Sequence, residues 1–356
     1  MSESLTIQSH VGPYRAVFDE EAPAGLAASV GPGLHVIADR RVAELHRATL
    51  SPLLSGRSVL LLEATETNKS LERFPEYVQH LLAHGIRRNH RILAIGGGII
   101  QDITCFLAAT ILRGVDWLLL PTTLLAQADS CIGSKSSINC GDTKNILGTF
   151  TPPREVWISS RLLDTLDERD VRSGVGEMLK IHAVDGPPSF DRIAADYDNL
   201  FQNRDRMIHY IHRSLAIKQP FVEIDEFDRR ERNVLNFGHS FGHAIEAATD
   251  FAVPHGIGVT MGMDVALTVA CGLGLTSDDT VRRMRPVLRR NARGFLDTPV
   301  PLDRFFAALG RDKKNTGAGT VTVILPRADG RVEKSVQPFD ERFRGLCAGY
   351  FAAVAR

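Results

Sequence analysis

No charge excess marks this chain, whose 356 residues carry 42 Lys and Arg against 42 Asp and Glu. With no net field to recruit phosphate backbones or anionic lipid, neither a nucleic acid nor a membrane surface is expected as a partner. Cysteine is scarce and odd in number: Cys105, Cys131, Cys140, Cys271 and Cys347, without a C-x-x-C pair. That excludes a disulfide framework and a thiolate zinc site, and it fits a reducing cytoplasm. No apolar run approaches the ~20 residues of a membrane span. The opening stretch, MSESLTIQSHVGPYRAVFDEE, has no basic segment ahead of an apolar core, so no secretory signal is expected there. The dinucleotide fingerprint G-x-G-x-x-G is missing, and so are long repeats and low-complexity tracts. What is present, 44% apolar and 24% charged residues, suffices for a real core. At ~150 residues per domain the length favours two domains.

Short apolar runs alternate with helix-period segments through the first half. LHVIAD (34–39), RSVLLLE (57–63), RILAI (91–95), DWLLL (116–120) and EVWIS (155–159) read as buried strands. Between the second and third, Leu71, Phe74, Val78, Leu81 and Leu82 fall on one helical face, and IIQDITCFLAATILRG after the third strand is helical too. Such alternation predicts a Rossmann-like α/β domain with a parallel sheet covered on both faces, over residues 1–160. From residue 161 strand signals nearly vanish, and a mainly α-helical domain is expected over 161–356, with one late hairpin, TVTVILP and RVEKSV around Ala328-Asp329-Gly330. Lys218 is expected just ahead of a helix break at Pro220.

Three features can carry chemistry. Gly96-Gly97-Gly98 hands a strand over to a helix, where backbone N–H groups can receive a phosphate, although such a triplet also serves as a plain tight turn. Asp39, at another strand end, can accept ribose hydroxyls or simply cap a helix before Arg40-Arg41. In NFGHSFGHAIE, His239 and His243 lie four apart on one helical face beside Gly238 and Gly242. His255 follows a proline, and Glu177 lies upstream in GVGEMLK. An isolated His pair is usually buried or capping. Joined to a glycine-bracketed helix, a third histidine and a carboxylate, it suits a catalytic divalent ion, without saying which histidines are ligands. The third feature is cationic residues in Gly- and Thr-rich text: Lys135, Lys144, Lys180, Lys218, Arg232 and Lys313-Lys314. Gathered at one site, they would form an anion pocket.

The ordered segments AIGGGIIQDITCF, LRGVDWLLLPTTLLAQADSCIGSKSSIN, TKNILGTFTPP, GVGEMLKIHAV, RNVLNFGHSFGHAIE, VPHGIGVTMGM and RDKKNTG resemble the 3-dehydroquinate synthase family of sugar phosphate cyclases, over residues 35–335. The resemblance implies NAD⁺ contacts at Asp39, Glu66, Lys69, Gly96, Gly97, Gly98, Asp102, Thr122, Thr123, Lys144 and Thr165. It implies metal ligands at Glu177, His239 and His255, for zinc or cobalt, with His243 near the phosphate. Asp129, Lys135, Asn145, Lys180, Asn236 and one of Lys313 and Lys314 match contacts to substrate hydroxyls and phosphate. Lys218 and Arg232 match a carboxylate clamp, and Arg113 an arginine offered to the second subunit of a homodimer.

Some positions depart from the family pattern: His255-Gly256-Ile257 replaces H-G-E, Gly133-Ser134-Lys135-Ser136-Ser137-Ile138-Asn139 replaces G-G-K-T-G-V-N, and Gln101 stands where glycine is usual. The first thirty residues match poorly. The activity implied is NAD- and metal-dependent cyclisation of 3-deoxy-D-arabino-heptulosonate 7-phosphate, a phosphorylated sugar acid, to 3-dehydroquinate. The alternatives are a secondary-metabolism cyclase for an amino analogue, sedoheptulose 7-phosphate or glucose 6-phosphate, and a metal-dependent alcohol or glycerol dehydrogenase.

Overall fold

The computed structural model describes residues 3–29, 31–141, 143–312, 315, 317 and 319–354. These form two compact units, Met1–Leu166 with Gln219–Phe227, and Asp167–Lys218 with Asp228–Arg356. Among the described residues no helix is long and apolar enough to cross a membrane.

The first unit is built on seven strands: β1 (Glu3–Ile7), β2 (Tyr14–Phe18), β3 (Leu34–Asp39), β4 (Val59–Leu62), β5 (Arg91–Gly96), β6 (Asp116–Pro121) and, after the small hairpin β7 (Ile138–Cys140) and β8 (Thr143–Leu147), β9 (Glu155–Ile158). The sheet order is β1-β2-β9-β6-β5-β3-β4, and every pairing is parallel except β1 with β2. Both faces are dry. Val36, Ala38, Leu93, Ile95, Leu118 and Leu120 join one core cluster, while Ile37, Ile92, Ala94 and Leu119 on the opposite pleat are equally buried. The strand order turns back between β3 and β5, so the carboxyl ends of these two strands form the switch point where open parallel sheets take ligands. Asp39 ends β3 and Gly96 ends β5.

The helix after β4 buries a different face from the one expected. The buried face of the helix Phe74–Ala83 is Phe74, Tyr77 and Leu81, whereas Leu82 is 56% exposed and Leu71 precedes the helix in an exposed turn. The Tyr77 ring earns its burial by donating its hydroxyl to the Asn68 carbonyl at 2.9 Å. The first thirty residues, silent in the sequence, supply β1 and β2, which extend the sheet beyond β9.

The second unit is mainly helical, with a hairpin of β10 (Thr320–Pro326) and β11 (Val332–Pro338). Its centre is the helix His255–Gly272, apolar on all sides and buried along nearly its whole length. It packs on the helices Glu168–Asp185, His239–Ala248, Asp278–Asn291 and Glu341–Val354. Glycine sets how closely three of these cross. A Cβ on Gly256 would lie 1.8 Å from the Ser173 carbonyl oxygen, one on Gly176 would lie 2.2 Å from that of Gly256, and one on Gly262 would lie 2.1 Å from that of Gly238. Glu177, His239 and His255 each adjoin one of these glycines, so backbone contact draws them together. Contrary to expectation, the helix Arg204–Ile224 runs unbroken through Pro220, and Lys218 sits inside it.

Candidate functional site

In the first unit, Gly97 caps the helix Gly98–Thr110, directly after β5. The three glycines have different reasons. A Cβ on Gly96 would meet Ile100 at 2.6 Å and one on Gly97 would meet Thr123 at 2.8 Å, whereas Gly98 faces open space. Only the last leaves room for an approaching group at the helix amino end. Asp39 fulfils the capping reading, its Oδ1 accepting from the Arg41 N–H at 2.9 Å. Burial raises its carboxyl above the usual range, against the Arg41 and Val42 N–H groups that lower it. Thr122 is buried at the end of β6, and Thr123 Oγ1 accepts from the Ala126 N–H at 3.2 Å.

A polar knot stands beside this turn. Lys69, only 6% exposed, donates to Asp102 Oδ2 at 3.2 Å and Asn145 Oδ1 at 2.9 Å, with Glu66 Oε1 at 3.7 Å. Asn139 donates to Glu66 Oε2 at 2.9 Å and accepts from the Asn145 N–H at 2.9 Å. Asp102 also accepts from the Ser137 N–H at 3.1 Å, yet burial outweighs Lys69 and these bonds, pushing its carboxyl up to about 6. Thus Glu66, Lys69, Asp102 and Asn145 come together. Lys144 is exposed on β8, Thr165 pairs with His46 at 2.8 Å, and Arg113 is exposed in a tight turn with φ of +65°. Asp129 is 9% exposed, and Lys135 is half-buried in the following loop.

In the second unit the imidazoles converge. Ligand-capable atoms of His239, His243 and His255 all lie within 4.8 Å of one another. Glu177, fully buried, places Oε1 3.2 Å from His255 Nε2 and 3.7 Å from His239 Nε2, and Oε2 2.7 Å from Lys180 Nζ. Burial alone would raise the Glu177 carboxyl, but Lys180 and His255 hold it well below the usual range. The other nitrogen of His255, Nδ1, lies 2.9 Å from Glu246 Oε1. Burial would lower this ring's proton affinity, yet the Glu177 and Glu246 carboxylates push it up to about 10. The Glu177 carboxylate with the His239 and His255 nitrogens, and a third imidazole beside them, is a donor set suited to a divalent ion of the zinc type.

Glu246 is the member of this group that sequence reasoning left without a role. Its signal was the spacing 239, 243, 246, one helical face read one step further. Lys180, Lys218 and Arg232 are all buried, at 3%, 5% and 7% exposure, and Asn236, half-buried ahead of Gly238, donates to the Asn233 carbonyl at 3.1 Å. Lys313 and Lys314 lie outside the described residues.

Residues 59–173 match the family described as 3-dehydroquinate synthase N-terminal, and residues 174–315 match 3-dehydroquinate synthase C-terminal. A 3-dehydroquinate synthase of Rhodospirillum rubrum is 37% identical over 316 residues, spanning 84% of this chain and 81% of its own. Among solved structures, 2-epi-5-epi-valiolone synthase of Streptomyces hygroscopicus, with NAD⁺ and Zn²⁺ bound, superposes with a TM-score of 0.84 at 26% identity, covering 96% of each chain. The fold is likewise that of a 2-deoxy-scyllo-inosose synthase complexed with carbaglucose-6-phosphate, NAD⁺ and Co²⁺, with a TM-score of 0.83 at 20% identity over 97% of this chain and 99% of that one.

Proposed function

The chain belongs to the 3-dehydroquinate synthase family, and from that premise we propose that it is an NAD- and metal-dependent cyclase converting 3-deoxy-D-arabino-heptulosonate 7-phosphate to 3-dehydroquinate with loss of phosphate. The observation that carries this reading is the convergence of Glu177 with His239 and His255, at 3.2 to 3.7 Å between donor atoms. These three residues hold zinc or cobalt, with His243 on the substrate side, and Glu246 fixes the His255 ring through Nδ1. Bound NAD⁺ and the ion supply a reversible hydride acceptor and a Lewis acid for one ring hydroxyl, so the cycle leaves no net redox change.

The chain's own residues do the rest. Asp39 takes ribose hydroxyls, the open face at Gly98 receives the pyrophosphate, and Glu66, Lys69, Asp102, Thr122, Thr123, Lys144 and Thr165 complete the dinucleotide's surroundings. Lys135, Asn145, Lys180 and His243 stabilise charge on the departing phosphate. Asp129 and Asn236 orient ring hydroxyls, and Lys313 or Lys314 adds a further cation. Holding one flexible intermediate in order is a proximity effect. Lys218 and Arg232, both buried cations, are the groups that take the sugar-acid carboxylate and so decide the substrate class. Arg113, exposed at its turn, serves the neighbouring subunit of a homodimer, and five free cysteines fit a reducing cytoplasm.

Purified protein supplied with NAD⁺ and Zn²⁺ is to be incubated separately with the heptulosonate phosphate, sedoheptulose 7-phosphate and glucose 6-phosphate while released phosphate is measured. Release from the acid supports the proposal. Release confined to the neutral sugars overturns the substrate assignment.

A further inference from the structure

Gln101 lies on the helix Gly98–Thr110, 6% exposed, and both polar atoms of its amide bond one neighbour. Its Nε2 donates to the Ser130 carbonyl at 2.7 Å, and its Oε1 accepts from the Ser130 hydroxyl at 2.8 Å. Ser130 closes the wide turn Ala126–Ser130, next to Asp129. The same helix grips the chain again further on. Asp102 Oδ1 accepts from the Ser137 N–H at 3.1 Å, and Cys105 Sγ donates to the Thr151 carbonyl at 3.2 Å. The segment from Ser130 to Ser137 is therefore tied to the helix at both ends, with Lys135 inside the span and Asp129 at its edge. Cys105 Sγ also lies 3.9 Å from the Ser134 carbonyl oxygen within the span, and of these ties the one at Ser130 exists only because residue 101 has a side chain long enough to reach it and polar at its tip. A glycine there would leave Ser130 nothing to bond on this helix.

We propose that Gln101 is a positioning residue whose two-point clasp on Ser130 fixes Asp129 and Lys135 against the nucleotide-binding helix, setting turnover and the choice among sugar phosphates rather than dinucleotide affinity. This rests on the functional reading given above, in which Asp129 and Lys135 meet the substrate. The amide is suited to the task because it satisfies a donor and an acceptor of the same residue, which fixes orientation as well as distance. A loose clasp lets the turn drift, and a displacement of about 1 Å at a reacting group is enough to cost up to ~10²-fold in rate.

The test uses the full chain supplied with NAD⁺ and Zn²⁺. Gln101→Met keeps the bulk and removes both bonds, while Ser130→Ala removes only the hydroxyl bond. Three readouts are compared: amide hydrogen exchange over residues 126–137, kcat and KM for phosphate release, and the Kd for NAD⁺. Gln101→Met is expected to speed exchange in that segment and lower kcat roughly ten- to hundredfold, with NAD⁺ affinity within about twofold of the parent. Ser130→Ala should do the same more weakly, and the double variant should be no worse than Gln101→Met. Unchanged exchange, unchanged kcat, a parallel loss of NAD⁺ affinity, or additive losses in the double variant would overturn the clasp. If the parent protein releases no phosphate from any sugar phosphate, the functional reading and the kinetic half of this proposal fall together, while the exchange result still decides whether the clasp exists.

Discussion

Replacing Glu246 removes the outer support of the histidine cluster without touching its inner donors. Its Oε1 lies 2.9 Å from His255 Nδ1, and His255 presents Nε2 to Glu177 at 3.2 Å. One ring is thus held between two carboxylates, and the outer one decides which nitrogen carries the proton. Gly258 gives the approach room, since a Cβ there would sit 3.2 Å from the Glu246 side chain and push it aside by a few tenths of an ångström. Glu246→Gln keeps size and an accepting oxygen but loses the charge, whereas Glu246→Ala loses both. Outer carboxylates of this kind are worth about 10- to 100-fold in metal affinity, or roughly 1.4 to 2.7 kcal/mol. The alanine variant is expected near the upper figure and the glutamine variant near the lower. Competition between the metal-stripped protein and a chromophoric chelator for Zn²⁺ measures this directly, without any turnover. If both variants bind zinc within about twofold of the parent, the account of how His255 is oriented is wrong.

Further predictions concern the scaffold, the anion site and pH. Gly256→Ala forces a Cβ to 1.8 Å from the Ser173 carbonyl oxygen, and backbone cannot swing aside. It should cost about 3 kcal/mol or more in chemical denaturation and weaken zinc binding with it; a variant as stable as the parent would contradict the close helix crossing. Lys218→Ala and Arg232→Ala should each raise KM for the acidic phosphate roughly ten- to hundredfold while leaving the Kd for NAD⁺ unchanged. Equal loss of both affinities would remove the carboxylate assignment. His35, bonded to Ser58 at 2.7 Å and His90 at 3.0 Å, is lowered by burial and its histidine neighbours to about 4. Its neutral form is favoured on folding, so the stability it contributes is complete above 6.5 and is lost as pH falls toward about 4. His35→Gln should flatten the fall of Tm across that window, and a slope identical to the parent's would refute the assignment.

Much of this architecture is written as local pattern. Runs such as Leu34–Asp39 and Arg91–Gly96 are apolar on both pleats because both faces of the sheet are covered, and that reads without ambiguity. The edge hairpin of Glu3–Ile7 and Tyr14–Phe18 is partly solvated and mixed in polarity, so its strands carry no comparable run. Leu71 and Leu82 misled for a related reason: helical spacing names a face, but Tyr77, a polar-tipped ring outside the aliphatic count, is what the core accepted. Pro220 signalled a break, yet the helix Arg204–Ile224 runs through it, since a local propensity is only a weak guide. At the candidate site, the pairing of His239 with His243 followed from spacing alone. The approach of Glu177 to His255 depends on glycines whose backbones touch across helices, and no one-dimensional pattern records that contact.

The most direct measurement follows released phosphate and NADH absorbance together in one reaction of the protein with 3-deoxy-D-arabino-heptulosonate 7-phosphate, NAD⁺ and Zn²⁺. Stoichiometric phosphate release with no accumulation of NADH, abolished by chelation and restored by the metal, is the result predicted. NADH rising in step with turnover, or phosphate release indifferent to chelation, would contradict the claim that hydride is borrowed and returned at a metal-assisted site.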